Sequence, residues 1–159
     1  MVVADTSPLV FLARLGHLEL AAALLAGIHV PEAVVAEATV DLRLPGARAV
    51  QEAVRRGLVV VRAVDDEATV ATLARVVDPG EAAAMALALQ LEVRGLLMDD
   101  AAGRKLAKAR GLLPVGTLGL LVAAVREGLL PALGPELDAL ERAGFRMSEE
   151  LKRHLESVR

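Results

Sequence analysis

Met1-Val2-Val3-Ala4-Asp5-Thr6-Ser7-Pro8-Leu9 opens the chain. The apolar run Val2-Val3-Ala4 stops at one acid, Asp5. Ser7-Pro8 then read as a serine N-cap with proline at the first helical position. The stretch is therefore a strand, a carboxylate at its C-terminal end, and a helix. Ligands of open α/β sheets sit at that end of the strands. An acid held there is partly desolvated, which is costly unless it faces a cation or a donor. Alone, Asp5 needs no more than hydrogen bonds from the next turn. The other acids of the chain decide whether it belongs to a site.

Working outward, strands and helices alternate. The pattern predicts helices at Pro8–Leu15 and Leu18–Leu25, a strand at Ile28–Val30 and a helix at Pro31–Ala38. A loop with Pro45 leads to a helix over Ala47–Arg56, ended by Gly57. Leu58–Val61 is apolar throughout, as a buried strand would be. Helices follow at Asp66–Arg75 and, after the break Asp78-Pro79-Gly80, at Glu81–Leu91. Gly95–Met98 reads as a strand ending in Asp99-Asp100, and Ala101–Arg110 as a basic helix. A weak strand at Leu113–Val115 precedes closing helices at Leu118–Arg126, Pro135–Ala143 and Ser148–Val158. This alternation argues for a parallel sheet covered on both faces.

The chain has 159 residues, the size of one domain with a real core. Residues 1–159 are read as a single domain, closed by the helices from about 118. Hydrophobic residues make up 55%, and no uninterrupted run approaches the about 18 residues of a membrane span. That apolar excess predicts an interface between copies, a homodimer or larger assembly. No basic region precedes Asp5, so no signal peptide is expected. The absence of cysteine excludes disulfides and thiolate metal sites and fits a cytoplasmic protein. A net charge of −3 excludes a generally basic nucleic-acid binder; such binding needs a local patch or metal ions.

Four acids fall at related places. Asp5 ends the first strand and Asp99 the fourth, Glu37 lies in the helix after the second strand, and Glu81 opens the helix before the fourth. If the first and fourth strands are neighbours, Asp5 and Asp99 share one sheet edge. Like charges that close do not both stay ionised without a cation between them. Mg²⁺ or Mn²⁺ with oxygen ligands resolves the conflict and can activate water against a phosphate. His17, His29 and His154 show no zinc spacing. A Gly-x-Ser-x-Gly elbow and a Gly-rich phosphate loop are both missing.

Asp5-Thr6-Ser7-Pro8-Leu9, Val30-Pro31-Glu32-Ala33-Val34-Val35-Ala36-Glu37, Pro79-Gly80-Glu81-Ala82 and Leu96-Leu97-Met98-Asp99-Asp100 together resemble a PIN domain. The ending Gly144-Phe145-Arg146-Met147-Ser148 resembles one prokaryotic PIN-like branch. The resemblance spans nearly the whole chain, and its strength lies in the order and spacing of motifs that are each short. It implies a three-layer α/β/α fold around a parallel sheet of four to five strands. It further implies Mg²⁺- or Mn²⁺-dependent cleavage of single-stranded RNA. Many relatives are toxins restrained by a small antitoxin protein, which is the partner it implies here. By position Asp5 matches the family's first acid, Glu37 its second, and Asp99 or Asp100 its last. Glu81 stands where most relatives have aspartate, so it is about 1.3 Å longer and is expected to reach an ion through water.

Each candidate also has a plainer role. Adjacent Asp99 and Asp100 cannot point the same way from an extended strand. Asp99 is the expected ligand, and Asp100, a second candidate, can equally N-cap the helix at Ala101. Glu37 reads as well as a solvated helix acid, and Glu81 as a complement to a helix dipole. Thr6 and Ser7 are placed to hold water or phosphate, although capping alone explains Ser7. Arg104 and Lys105 follow closely enough on Asp99 to grip a substrate phosphate. Two rival functions remain. One is a PIN-like module that binds RNA or protein without cutting. The other, a haloacid-type phosphohydrolase with Asp5 as nucleophile, ranks last because Ser7 stands where its general acid would be.

Overall fold

The structure is a computed structural model, and it describes residues 1–158. Five strands form one parallel sheet: β1 (Val2–Ala4), β2 (Ile28–Pro31), β3 (Val59–Arg62), β4 (Gly95–Leu97) and β5 (Leu113–Val115). Their spatial order is β3-β2-β1-β4-β5. β1 pairs with β2 on one side and with β4 on the other, with Ala4 opposite Leu97. The order therefore reverses at β1 and β4, which makes the crevice beyond their C-terminal ends the switch point of the sheet.

The pleat divides the core. Val2, Ala4 and Leu97 face one cluster, with α1 (Thr6–Leu15), α2 (Leu18–Leu24), α3 (Glu32–Ala38) and α4 (Ala47–Arg55). Val3, Leu96 and Met98 face the other, with α5 (Glu67–Leu73), α6 (Pro79–Gln90) and α7 (Ala101–Ala109). Alternate residues of a strand point to opposite faces, so these short strands serve both layers. The result is the expected α/β/α arrangement. Helix α6 is buried continuously from Gly80 to Ala88, as a helix apolar on all sides must be.

The closing helices α8 (Thr117–Arg126), α9 (Gly134–Arg142) and α10 (Glu149–Glu156) gather a third cluster around Leu121, Leu133, Leu137 and Leu140. Phe11, Leu15, Leu20 and Leu24 of α1 and α2 pack against it. Arg14 donates to the Ala143 carbonyl at 2.6 Å and His17 Nε2 meets Glu136 at 2.6 Å. Part of the apolar excess from which an interface between copies is expected is thus used inside this chain. Among the described residues no single helix is long and apolar enough to cross a membrane.

Two expectations are corrected. Ser7 is not a cap: α1 begins at Thr6, directly off the strand, with Asp5 in the N-cap position and making no side-chain capping bond. Pro8 falls in the first turn, where N–H groups lack intrahelical partners anyway, so its missing donor costs nothing. The strand at 58–61 is not buried throughout. As β3 it is an edge strand shifted to Val59–Arg62, with Val59 buried and Val60 and Arg62 exposed. Other element ends differ by one to a few residues, the usual fraying of boundaries.

A carboxylate cluster at the switch point

The chain leaves β1 at Asp5, whose N–H still bonds the Leu97 carbonyl at 2.9 Å. That bond ties Asp5 to the end of β4, and Asp5 is only 6% exposed. Burial raises its carboxyl from 3.8 to about 7. The Thr6 N–H opposes the shift, while the charges of Asp78, Glu37 and Asp99 add to it.

Helix α6 supplies the next two acids. Asp78 caps it, accepting from the Glu81 N–H at 2.8 Å. Pro79 follows at the first helical position, which suits its fixed φ. Glu81, one turn in, is 7% exposed. Burial, then Asp78, Asp100 and Asp5, push it up to about 8. Among the described residues its buried Oε2 has no hydrogen-bond partner, the costly condition for a polar atom.

After β4 and Met98 come the paired acids, which diverge. Asp99 turns toward α8 and is held there by Thr117, whose N–H donates to Oδ1 and whose hydroxyl donates to Oδ2, both at 2.7 Å. Thr117 is fully buried. Asp100 turns the other way and caps α7 through the Gly103 N–H at 2.7 Å. Its capping role is real, and it also lies beside Glu81. A Cβ on Gly103 would sit 2.8 Å from Glu81 Oε2 and 3.4 Å from Asp100 Oδ2.

Glu37 closes the mouth. Exposed on α3, its Oε2 accepts from the Thr6 hydroxyl at 3.0 Å. A Cβ on Gly80 would meet Glu37 Oε2 at 2.8 Å, with Asp78 Oδ1 and Thr6 Oγ1 just beyond. The absent side chains at Gly80 and Gly103 therefore leave room where acids approach one another.

Asp5, Thr6, Glu37, Glu81, Asp99 and Asp100 are thus all brought to one end of the sheet. Arg104 joins them, its Nη1 donating to the Met98 carbonyl at 3.3 Å. Ser7 and Lys105 are exposed, and among the described residues their side chains make no hydrogen bond. Two residues escaped the sequence reading. Asp78 was visible only as part of a helix break, although aspartate before Pro-Gly is a cap signal. Thr117 was hidden because its partner lies 18 residues away.

Among the described residues none of the six acids is ion-paired with lysine or arginine. What offsets their charge is the opening of α1, α6, α7 and α8 at this crevice, whose N-terminal dipoles favour anions. Among the described residues no three carboxylate or imidazole groups enclose a common ion position as they stand. The donor set is all oxygen, which suits a hard divalent cation that retains water. Glu81 Oε2, which has no hydrogen-bond partner among the described residues, and the burial that pushes the Asp5 and Glu81 carboxyls up fit a site of that kind.

A family model described as a PIN domain matches residues 1–157. No curated protein and no solved structure matches the chain.

Proposed function

This chain belongs to the PIN-domain family, and from that premise we propose that it is a Mg²⁺- or Mn²⁺-dependent endoribonuclease acting on single-stranded RNA. The observation that carries the reading is a pair of buried carboxyl groups, Asp5 and Glu81, set among Asp78, Asp99 and Asp100 without an ion-paired cation. Burying acids at a sheet's ligand end is costly for folding alone, and it makes sense if they serve a cation.

Asp5 and Asp99 would hold the ion directly. Glu81 and Asp100 would contact its waters, and Glu37 would complete the rim with Thr6. The chemistry such an ion supplies when bound is charge neutralisation at a phosphate oxygen and easier deprotonation of water. The chain's own part is positional. Thr117 keeps Asp99 in one orientation. Arg104, fixed by the Met98 carbonyl, offers a cation to the phosphate backbone.

A finer reading makes this nuclease the toxin of a pair, restrained by a small antitoxin protein. Its support is the resemblance of residues 144–148 to one branch of the family, and growth arrest on expression, relieved by a co-expressed neighbouring gene product, tests it. For the nuclease itself the test is labelled single-stranded RNA incubated with Mn²⁺ and with EDTA. Internal cuts that require the metal are expected; intact RNA under both conditions overturns the reading. Bound but intact RNA would favour the second reading, a binding module. The observation behind that alternative is the lack of three converging ligands among the described residues.

A further inference from the structure

A groove leaves the acid cluster at Asp99 and runs between the start of α7, β5, the start of α8 and the turn at Gly144-Phe145. Its volume is about 450 Å³, within the range of small-ligand sites. We propose that this groove seats one nucleotide of the RNA next to the scissile phosphate, its base against the ring of Phe145 and its phosphate against Arg104. This rests on the nuclease reading above and names the residues that would grip the substrate beside it.

The inner wall is built for a phosphate next to an acid. Arg104 and Asp99 both line the groove. They face the space left by Gly116, where a Cβ would lie 2.7 Å from Arg104 Nη1 and 3.0 Å from Asp99 Oδ1. The guanidinium is anchored on the Met98 carbonyl and forms no ion pair with Asp99. Its charge therefore stays available to a phosphate that arrives beside the acids.

The outer wall is built for a flat ring. Phe145 is one of only two aromatic residues in the chain, with no tyrosine or tryptophan. It is half-buried and packs edge-to-face with the other, Phe11, with centroids 5.2 Å apart and planes at 70°. That packing fixes the ring while it lines the groove. Between the walls Gly119 leaves the floor open, with only Val115 Cγ1 near, at 3.5 Å from a Cβ built there. An aromatic face beside a cation is how single strands are held without sequence readout, because every base has a π-face. A second anion fits poorly so near the acids, whereas an uncharged base does not feel that repulsion. The Gly144–Ser148 ending, which marked a family branch without a role, thereby acquires one at Phe145.

Two variants test the groove. Phe145→Leu keeps apolar bulk against Phe11 but removes the ring face. Gly119→Leu fills the floor from an exposed helix position. In Mn²⁺-dependent cleavage each should raise KM about 5–100-fold, the range for losing one stacked base, with kcat within about twofold. An RNA abasic at a nucleotide flanking the cut should weaken wild type by a similar factor and Phe145→Leu little further. Mn²⁺ affinity by calorimetry should match wild type for both variants, and both should remain folded at the assay temperature, Phe145→Leu unfolding a few degrees earlier because it loses the ring contact with Phe11. Wild-type KM in both variants, or indifference to the abasic position, overturns the proposal. Should the wild type cut no RNA, fluorescence anisotropy of labelled RNA with Ca²⁺ in place of Mn²⁺ separates the two readings. Weaker binding by both variants supports the groove although the nuclease reading fails; equal binding, or no binding by wild type, overturns the groove as well.

Discussion

Replacing Asp5 by asparagine should stabilise the metal-free protein, and the gain should depend on pH. Asp5 is 6% exposed. Burial, reinforced by Asp78, Glu37 and Asp99, moves its carboxyl from 3.8 to about 7. A raised acid in the folded state binds its proton more tightly than in the unfolded chain. Its contribution is therefore favourable below about pH 4 and is lost progressively as pH rises toward 7. At pH 8 the rise from 3.8 to about 7 costs on the order of 4 kcal/mol. At pH 5 the cost is roughly 1.5 kcal/mol by the same relation. Asparagine keeps the shape without the charge, but its amide hydrogens meet acceptors imperfectly, which returns about 1 kcal/mol. The net gain at pH 8 is then about 3 kcal/mol, or roughly 6–12 °C in Tm for a chain of this size. Thermal unfolding followed by circular dichroism in EDTA at pH 8 and pH 5 measures it. Adding Mn²⁺ should raise the Tm of wild type and leave Asp5→Asn almost unmoved. An unchanged or lower Tm for Asp5→Asn at pH 8, or the same gain at both pH values, would refute the argument.

Four further outcomes are expected. Asp99→Asn should erase cleavage in a folded protein. Thr117→Val, which removes the hydroxyl that orients Asp99, should weaken Mn²⁺ binding about 10–100-fold, with Thr117→Ser near wild type; calorimetry and an RNA cleavage assay read both. Glu81→Gln should lower Mn²⁺ affinity about 10–100-fold without abolishing it, and Glu81→Asp should not improve activity; titration calorimetry equal to wild type for Glu81→Gln would remove Glu81 from the site. Light scattering at micromolar concentration should show a dimer or larger species, through exposed apolar residues such as Val40, Leu44 and Val76, and a monomer alone would count against it.

What the sequence determined by itself is local. Val2-Val3-Ala4 before Asp5 and Leu96-Leu97-Met98 before Asp99 were legible as strand ends carrying acids, because apolar runs and their punctuation act over a few residues. Pro79-Gly80 before Glu81 marked a helix start for the same reason. The alternation of strands and helices was enough for a covered parallel sheet, and the motif order was enough for the family. Even locally there were misreadings. Ser7 has the composition of a cap, but where α1 begins depends on how the chain leaves the sheet at Asp5. Only the tertiary structure decided the strand order, which places β1 beside β4 and sends β3 to the edge. It alone separated Asp99 from Asp100, through Thr117 on one side and Gly103 on the other. It alone brought in Asp78 and opened the groove at Phe145. The physical reason is common to these cases. Propensity and capping are set by neighbours in the chain, whereas the charge a carboxylate feels is set by burial and by groups many residues distant, which meet only once the sheet has assembled.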